Sequence, residues 1–349
     1  MTEIKRICEK IIGGVSPTDK ELTTLLMAEG ETAAYLAGAA REICDLVYGK
    51  RVFVRGLIEI SSYCKNDCLY CGIRRSNRRA ERYRLTPDDI LECAEYGYSL
   101  GFRTFVLQGG EDPYFTDGVV SDIVRRIKDS CAGSAVTLSL GERTRESYTA
   151  LRSAGADRYL LRHETADIEH YSRLHPSELT LENRISCLCD LKALGFQTGC
   201  GFMVGSPYQT IENIVKDIRF IEAFKPEMVG IGPFIPHRDT PFREHPAGSV
   251  PLTLNCLATV RLMLPQVLLP ATTALGSLES GGRERGILAG ANVVMPNLSP
   301  SDVRRKYSLY DNKLSTGVES AEGLYGLRKT IESIGYELSL ERGDHVSVK

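Results

Sequence analysis

Short apolar, β-branched runs alternate with amphipathic segments along most of the chain. The runs, which predict buried strands, lie at 52–60, 104–108, 135–139, 158–162, 198–204, 228–234, 267–272 and 292–295. Apolar residues three and four apart in most of the intervening segments predict helices. Buried strands separated by helices pair in parallel, and eight such units can close into a barrel. We therefore predict an α/β protein built on a complete (β/α)₈ TIM-type barrel, with an open doubly wound sheet as the alternative.

The same pattern divides the chain into three parts. Residues 1–50 contain no strand-like run and are predicted to be an N-terminal helical extension that caps the barrel. One of its helices is predicted to start with Ser16 as N-cap and Pro17 at the first helical position. Residues 51–310 are assigned to the barrel, and residues 311–349 to a C-terminal helical extension that closes it.

Composition is that of an ordinary globular protein. Of the 349 residues, 43 are basic and 45 acidic, and the net charge of −2 argues against a general nucleic-acid or membrane-surface binder. No apolar stretch reaches the roughly 18 residues of a membrane span, and the first residues lead into no apolar signal core. We therefore expect a cytoplasmic protein. In that reducing compartment the eleven cysteines are expected to be core residues or metal ligands rather than disulfides.

Polar and glycine-rich residues directly follow the predicted strands. Cys64 follows the first predicted strand, Gly109-Gly110 follows the second, Ser139 ends the third and Glu164 follows the fourth. Thr272-Thr273 lies at the end of the seventh. Barrel enzymes build their active sites at this carboxyl end of the strands. The sequence therefore predicts one site assembled from several loops.

The sharpest chemical signal is the segment Cys64-Lys-Asn-Asp-Cys68-Leu-Tyr-Cys71. Thiolates bind zinc or iron–sulfur clusters, but a closed zinc site needs four ligands and no fourth Cys or His lies nearby in the sequence. A [4Fe–4S] cluster held by three cysteines leaves one iron open for a substrate or cofactor. The spacing alone favours such a cluster over core cysteines or part of a zinc site, and both alternatives stay open.

With Tyr70 between its last two cysteines, this triplet resembles the motif of the radical S-adenosylmethionine (SAM) superfamily. The resemblance implies that the open iron chelates SAM. It also implies that an electron, which an external donor must supply, cleaves SAM to methionine and a 5′-deoxyadenosyl radical. The segment Gln108-Gly109-Gly110-Glu111 resembles the part of the superfamily that holds the methionine amino group, with a plain turn as the alternative.

Single residues elsewhere suit the same site, although each also has an ordinary structural explanation. Glu164 would accept hydrogen bonds from ribose hydroxyls, and Arg184 would pair with the methionine carboxylate through its planar fork. Ser139 would donate to SAM or to the substrate. Thr272 and Thr273 either offer hydroxyls to an anion or simply fill a strand.

Three further features are ambiguous. Met228 and Met295 are more typical of a core than of a cofactor contact. His163 is expected to be a packed structural residue. The six arginines between residues 74 and 84 form either a docking surface for an acidic partner or a solvated loop that covers the cluster.

Longer segments resemble the HydE-type maturases of [FeFe]-hydrogenase. They span about residues 60–310 and read YCKNDCLYCGIRR, RYRLTPDDI, VLQGGEDPYF, VTLSLGE, GADRYLLRHETAD, MVGIGPFIPHRDTP, LPATTALG and GANVVMPNLSP. The resemblance implies a complete barrel around a closed cavity, with a [4Fe–4S] cluster on Cys64, Cys68 and Cys71. It implies SAM contacts from Tyr70, Gly110, Ser139, Glu164 and Arg184. It further implies a substrate cavity faced by Arg162, Met228, Thr272, Thr273, Met295 and Tyr310.

This family helps to build the two-iron subcluster of the hydrogenase, and other maturation proteins are implied as partners. The implied substrate is an iron carbonyl–cyanide complex carrying cysteine, attacked at sulfur by the adenosyl radical. Hydroxyl and guanidinium donors would suit such an anion. Some members bind an accessory cluster through three more cysteines near the C-terminus. Here Ser315, Gly323 and Gly326 occupy the corresponding positions, so we predict one cluster only.

Three other functions stay open. A methylornithine synthase, which rearranges lysine, shares the cysteine motif, RYRLT and GEDPY, but the RHETAD and GPFIPH blocks fit it less well. Biotin-synthase-like sulfur insertion would need a second, sacrificial cluster, and the sequence has no second cysteine group. A non-catalytic iron carrier is compatible with the cysteine triplet alone, although the SAM-like loops argue against it.

Overall fold

The strands pair in parallel, and those of the main sheet pair in the order in which they occur along the chain. A computed structural model describes residues 1–315 and 317–348. The main sheet has six strands in the order β2-β3-β4-β5-β6-β7, and a three-stranded sheet has the order β8-β1-β9. Their bounds are β1 (Arg51–Val54), β2 (Gly56–Ser61), β3 (Thr104–Gly109), β4 (Ala135–Ser139), β5 (Arg158–Leu160), β6 (Gln197–Val204), β7 (Met228–Pro233), β8 (Val293–Val294) and β9 (Glu337–Ser339).

Helices cover the outside of these strands and form the N-terminal segment. They are α1 (Thr2–Ile12), α2 (Asp19–Leu26), α3 (Gly30–Tyr48), α4 (Pro87–Ser99), α5 (Asp117–Ser130), α6 (Arg145–Ser153), α7 (Ile168–Leu174), α8 (Leu181–Ala193), α9 (Ile211–Phe224), α10 (Val250–Met263), α11 (Thr273–Leu278), α12 (Gly282–Leu288) and α13 (Leu324–Ser333). Every residue of β2, β6 and β7 is buried. A parallel sheet covered on both faces requires such continuous burial. The predicted α/β class with a parallel sheet is confirmed.

Isolated parallel bridges continue the hydrogen bonding beyond the main sheet. Met228 of β7 bridges to Leu268, and Pro270 bridges to Val293 of β8. Asn297, which follows β8, bridges back to Leu57 of β2. The first and last strands of the six-stranded sheet are therefore connected through residues 268–297.

Two predicted strands differ in detail from the structure. The run at 267–272 is not a regular strand and forms only the single bridges at Leu268 and Pro270. Pro270 has no N–H to donate to a ladder, which explains the interruption. The run at 52–60 is divided at Arg55, because β1 pairs with β8 and β9 whereas β2 pairs with β3.

Threonine side chains begin several of the helices. Thr86 and Thr210 form capping boxes at α4 and α9. The prediction that Ser16 caps α2 is wrong. Thr18 accepts from the Glu21 N–H at 3.2 Å, and Glu21 accepts from the Thr18 N–H at 2.8 Å. This reciprocal pair satisfies two otherwise unpaired amides, and so the helix begins at Asp19.

The C-terminal segment lies across the amino ends of several strands. Arg158, the first residue of β5, donates to Asp344 at 2.7 Å, and Gln197 of β6 donates to the same carboxylate at 2.8 Å. Thr104 of β3 donates to the carbonyl oxygen of Arg342 at 2.7 Å. These contacts cover the end of the sheet that lies opposite the cysteine triplet. No helix among the described residues is long and apolar enough to cross a membrane.

Candidate active site

The cysteine triplet lies in the loop that leaves β2, and other loops hold this loop in place. The amide of Lys65 donates to the carbonyl oxygen of Glu111 at 2.9 Å, and the amide of Leu69 donates to that of Leu174 at 2.9 Å. The amide of Gly72 donates to the carbonyl oxygen of Leu309, also at 2.9 Å. Segments that follow β3, β5 and β8 therefore converge on the triplet. All three cysteines are free and partly exposed.

Two glycines allow this convergence. A Cβ on Gly110 would lie 2.2 Å from the Tyr63 carbonyl oxygen and 2.8 Å from the Cβ of Cys64. A Cβ on Gly72 would lie 2.2 Å from the Ser308 carbonyl oxygen. Neither contact is sterically allowed, so the close approach of these backbones to the cysteine loop requires glycine.

The thiols of the triplet hold their protons unusually tightly. Burial, with the nearby Cys64 thiol, raises the pKa of Cys71 to about 12. Burial also raises the pKa of Cys64, and it raises the pKa of Cys68 well above its usual range, with Cys71 adding to that shift. The thiols therefore stay protonated until a cation replaces the protons.

The donor set fits a [4Fe–4S] cluster. It offers three soft sulfur ligands on one short loop, and Gly110 packs directly against the Cys64 end of that loop. Among the residues that the structure describes, no three His, Cys, Asp or Glu side chains converge on the position of a single metal ion. Each thiolate of a four-iron cluster binds its own iron, so the triplet does not need that arrangement.

A chain of hydrogen bonds links Arg184 to the end of β5. From α8, Arg184 donates through Nε to the Glu142 carboxylate at 2.5 Å and through Nη1 to the Arg162 carbonyl oxygen at 2.7 Å. Arg162 in turn donates to Oε2 of Glu164 at 2.7 Å. The structure thus brings together three of the predicted site residues. Glu142, which the sequence analysis did not select, already accepts a hydrogen bond from Nε of the Arg184 guanidinium.

Glu164 is held in an unusual backbone conformation. Its φ of 64° lies in the left-handed region, where non-glycine residues are rare. Its amide donates to the carbonyl oxygen of Gly201 at 3.0 Å. Such strain persists only where the surroundings enforce it, and it occurs often at functional sites.

Tyr70 and Ser139 lie at the same end of the sheet. The Tyr70 hydroxyl is 3.2 Å from Nε2 of His175, whose ring stacks on Tyr171. Ser139 ends β4 directly beside Gln108 of β3. Gln108 Nε2 donates to the Tyr307 hydroxyl at 3.4 Å. His175, Tyr171 and Tyr307 were missed by the sequence analysis because single aromatic residues carry no spacing signal.

Thr272 and Thr273 lie near the end of the seventh predicted strand, at the start of α11. Oγ1 of Thr272 is buried and has no hydrogen-bond partner among the described residues. Gly232 of β7 provides room for it, since a Cβ there would lie 2.9 Å from that oxygen. Oγ1 of Thr273 donates to Glu319 at 3.1 Å. Burial raises the pKa of Tyr310, another residue predicted to face the substrate cavity, well above its usual range.

Met228 and Met295 pack in an apolar cluster that does not include the cysteine triplet. Met228 is the first residue of β7, so it lies at the amino end of that strand. It is buried with Phe53, and Met295 packs against the same apolar cluster. Sδ of Met228 lies 3.0 Å from Nη1 of Arg55.

The sequence analysis also missed a buried charged group in the middle of β2. Glu59 is fully buried, accepts from Nδ2 of Asn297 at 2.8 Å and pairs with Nζ of Lys313. One carboxylate inside the apolar run 56–60 is a signal that could have found this residue. The identities of its partners depend on the fold.

Comparison with known proteins places this site in a family. The sequence profile of the radical SAM superfamily matches residues 58–221. The [FeFe] hydrogenase maturase subunit HydE of Thermotoga maritima is 48% identical to this chain over 85% of this chain and 84% of that protein. The 3-methylornithine synthase of Methanosarcina barkeri is 30% identical over 90% of this chain and 89% of that protein. The crystal structure of methylornithine synthase (PylB) matches with a TM-score of 0.83 and 29% identity, covering 95% of this chain and 97% of that one.

These matches confirm the predicted radical SAM enzyme with its [4Fe–4S] cluster and SAM as cofactors. The profile covers the cysteine triplet, Gly110, Ser139, Glu164 and Arg184, and the similarity to the two enzymes extends over most of the remaining chain. The chain belongs to the radical SAM superfamily.

Proposed function

We propose that this protein is a HydE-type enzyme of [FeFe]-hydrogenase maturation. Its substrate would be a cysteine-bound iron carbonyl–cyanide precursor of the two-iron subcluster. The 48% identity to the HydE subunit, against 30% to a methylornithine synthase, supports this choice. The fold does not distinguish the two enzymes, because the PylB structure matches almost the whole chain.

Cys64, Cys68 and Cys71 would hold the cluster, and its open iron would bind SAM. When bound, the reduced cluster supplies the electron that cleaves SAM to methionine and a 5′-deoxyadenosyl radical. Gly110 lets the backbone approach the methionine end of SAM. Nη2 of Arg184, whose other donors bind Glu142 and Arg162, is assigned to the methionine carboxylate.

The ribose end of SAM would be held by Glu164 and Ser139, with Tyr70 beside the cluster. Glu164 has two carboxylate oxygens, and the one that accepts from Arg162 is Oε2. Oε1 therefore stays available for ribose hydroxyls. The left-handed backbone fixes the direction of this side chain before SAM binds, which avoids an ordering penalty on binding.

The substrate would lie on the other side of Arg162, beside Thr272, Thr273 and Tyr310. The observation that carries this proposal is the buried hydroxyl of Thr272, which has no hydrogen-bond partner among the described residues. A buried hydroxyl without a partner is destabilising. Within the described part of the chain Thr259 in α10 has one as well, so Thr272 is assigned to the substrate because it also lies at the end of the seventh predicted strand, beside Gly232. The Arg162 guanidinium and this hydroxyl suit an anionic complex. Met228 and Met295 would contribute only to the floor of such a cavity.

We also propose that the sheet closes into a complete eight-stranded barrel with extensions at 1–50 and 311–349. The bridges through Leu268, Pro270 and Asn297 support the closure. The contacts of Asp344 with β5 and β6 support a role of the C-terminal extension in covering the amino ends of the strands. The eleven free cysteines suit the cytoplasm, where thiols stay reduced.

The direct test supplies the anaerobically reconstituted enzyme with SAM, a reductant and one of two candidate substrates. We expect 5′-deoxyadenosine formation to accelerate with a cysteine-bound iron carbonyl–cyanide complex and not with isotopically labelled lysine. Cys68→Ala serves as the control that lacks the cluster. Conversion of labelled lysine to a new product would show that the protein is a lysine mutase and not a maturase. An intact cluster that never yields deoxyadenosine would favour the iron carrier.

A further inference from the structure

The six arginines between residues 74 and 84 fall into two groups, one with structural partners in the loop and one exposed to solvent. Arg74 binds the Asp67 carboxylate with two hydrogen bonds of 2.8 and 2.7 Å, and Arg84 binds Asp112 with two of 2.6 and 2.9 Å. Arg82 donates to the main-chain carbonyl oxygens of loop residues 73, 74 and 77 at 2.7–3.1 Å. These three arginines hold the loop together and are structural.

The other three arginines point into solvent. Arg78 is exposed and makes no ion pair with any residue in 1–315 or 317–348. The side chain of Arg79 is 84% exposed, although it touches Asp239 at 3.0 Å. Arg75 forms only an exposed pair with Glu178 at 3.6 Å. Nothing in the packing of the loop accounts for these three charges.

Further cations from other loops join Arg78 and Arg79. Two adjoining shallow clefts are lined by cations that we call the basic rim: Arg78, Arg79, Arg238, Arg243, Arg305 and Lys306. The carboxylates that line the same clefts are Glu81 and Asp239. Asp311 and Glu244 pair with Arg238 and Arg243 from outside the clefts, and the cations still outnumber these four carboxylates. The whole chain has the opposite sign, with a net charge of −2.

The basic rim adjoins the cluster site. Gly72 lines one of the clefts and is the residue that follows Cys71. Consecutive Cα atoms across a trans peptide are ~3.8 Å apart, so the cleft wall begins directly behind a cluster ligand. Arg305 and Lys306 also belong to the rim. Shortly after them in the chain, the carbonyl oxygen of Leu309 accepts a hydrogen bond from the Gly72 amide. This surface combines positive charge with proximity to the cluster.

We propose that the basic rim is the docking surface for an acidic protein that carries one electron to the cluster. The inference rests on the reductive chemistry of the proposed function. In each transfer the carrier loses one electron and the oxidised cluster gains it, so charge balances without a further reactant. A positive rim would attract a negative carrier from a distance, and it would orient that carrier over the cluster.

The test compares two variants with the same change in charge. Arg78→Glu with Arg305→Glu reverses two exposed rim charges. Lys20→Glu with Arg125→Glu reverses two exposed charges on α2 and α5, outside the clefts. The reconstituted proteins are mixed with a reduced acidic flavin-mononucleotide carrier protein, and the rate of cluster bleaching is followed. Reduced methyl viologen, a small cation, serves as a reductant that needs no docking surface.

We expect the rim variant to slow reduction by the acidic carrier at least roughly tenfold at low salt, while the control variant keeps the wild-type rate. The difference should shrink as salt is added, because screening weakens the long-range attraction. Reduction and SAM cleavage driven by methyl viologen should be unchanged in both. Equal rates for the rim and control variants with the acidic carrier would overturn the proposal.

A binding measurement separates the rim from the enzyme's chemistry. The affinity of the acidic carrier for each variant is measured by fluorescence anisotropy, and we expect salt-sensitive binding that only the rim variant loses. Arg243→Glu, in a different loop, should weaken it in the same direction. If methyl viologen gives no deoxyadenosine with the wild type, the proposed function fails, and the binding result still decides on the rim. Binding that is indifferent to all three rim charges would contradict the docking surface.

Discussion

Nε2 of His163 lies 3.4 Å from Oδ1 of Asp217, and both side chains are fully buried. Nδ1 of His163 accepts from the Gly201 amide at 3.2 Å, which leaves the proton on Nε2. Nε2 makes no hydrogen bond among the described residues, and Oδ1 of Asp217 accepts instead from the Ala166 amide at 2.5 Å. Burial lowers the pKa of His163 to about 3 and raises the pKa of Asp217 well above its usual range. This contact and the Ala166 hydrogen bond therefore join α9 to the segment that carries Glu164 without needing two opposite charges.

This pair predicts that Asp217 positions Glu164. Asp217→Ala removes the acceptor of the Ala166 amide and the carboxyl group packed against His163, and we expect a loss of about 2 kcal/mol in unfolding free energy together with weaker SAM binding. Asp217→Asn keeps an oxygen acceptor and should retain most of both. Chemical denaturation and SAM titration of the two variants give the comparison. Unchanged SAM affinity in the alanine variant would remove Asp217 from the site.

His175 predicts a loss of stability in acid. Burial, with the charge of Arg184, lowers the pKa of His175 from 6.5 to about 3, so the unfolded chain binds a proton there at a pH where the folded chain does not. The proton favours unfolding, and each unit of acidification between those values costs about 1.4 kcal/mol for this group. His175→Gln should flatten the pH dependence of the unfolding free energy by about one proton. Identical slopes in wild type and variant would contradict this assignment.

Lys313 and Glu59 predict a strong coupling between the C-terminal segment and β2. Lys313→Met leaves a fully buried carboxylate with one partner fewer, and we expect a loss of about 3 kcal/mol. The double variant with Glu59→Gln should recover most of that loss, because it removes the charge that needs a partner. A double-mutant cycle by chemical denaturation measures the coupling. Additive effects of the two changes would show that the pair is unimportant.

Thr272 predicts a change in substrate use without a change in stability. Thr272→Val replaces an unpartnered hydroxyl by a methyl group of similar shape, so the unfolding free energy should change by less than about 1 kcal/mol. Substrate-dependent deoxyadenosine formation should fall severalfold. Thr259→Val in α10 is the matched control, since its hydroxyl is also buried and unpartnered among the described residues. If both valine variants keep full activity, Thr272 does not contact the substrate.

Replacing Gly110 by alanine should cause a selective loss of the cluster. Gly110→Ala places a Cβ against the Tyr63 carbonyl oxygen and Cys64, so we expect most of the bound iron to be lost while the circular dichroism spectrum is retained. Gly118→Ala in α5 is the control, because the nearest atom to its Cβ is 4.0 Å away. Iron analysis of both variants after anaerobic reconstitution measures how much cluster each one binds. A full iron content in Gly110→Ala would show that the loop can relax around the added methyl group.

Chemistry that is local in the sequence could be predicted, whereas long-range pairs could not. The cysteine triplet lies within eight residues, and the alternation of strands and helices is visible without the fold. The run at 267–272 is apolar enough to predict a strand, but Pro270 lacks the N–H that a regular ladder needs. Ser16 and Thr18 both suit an N-cap, and Thr18 is the cap because Glu21 completes the capping box.

The partners of buried charges depend on the closed structure. Lys313 is 254 residues from Glu59, and nothing near either residue identifies the other. The same holds for Asp217, which lies on α9 and contacts His163 only after β5 and β6 have paired. Such pairs depend on the topology of the fold. A pattern of apolar residues predicts the fold class but not which distant residues come into contact.

The central claim is that Cys64, Cys68 and Cys71 hold a [4Fe–4S] cluster whose open iron binds SAM. Electron paramagnetic resonance of the anaerobically reconstituted, reduced protein, recorded with and without SAM, tests it most directly. We predict a [4Fe–4S]⁺ signal that is absent in Cys68→Ala and that shifts when SAM is added. A cluster signal that does not respond to SAM, or bound zinc in place of a cluster, would contradict the account.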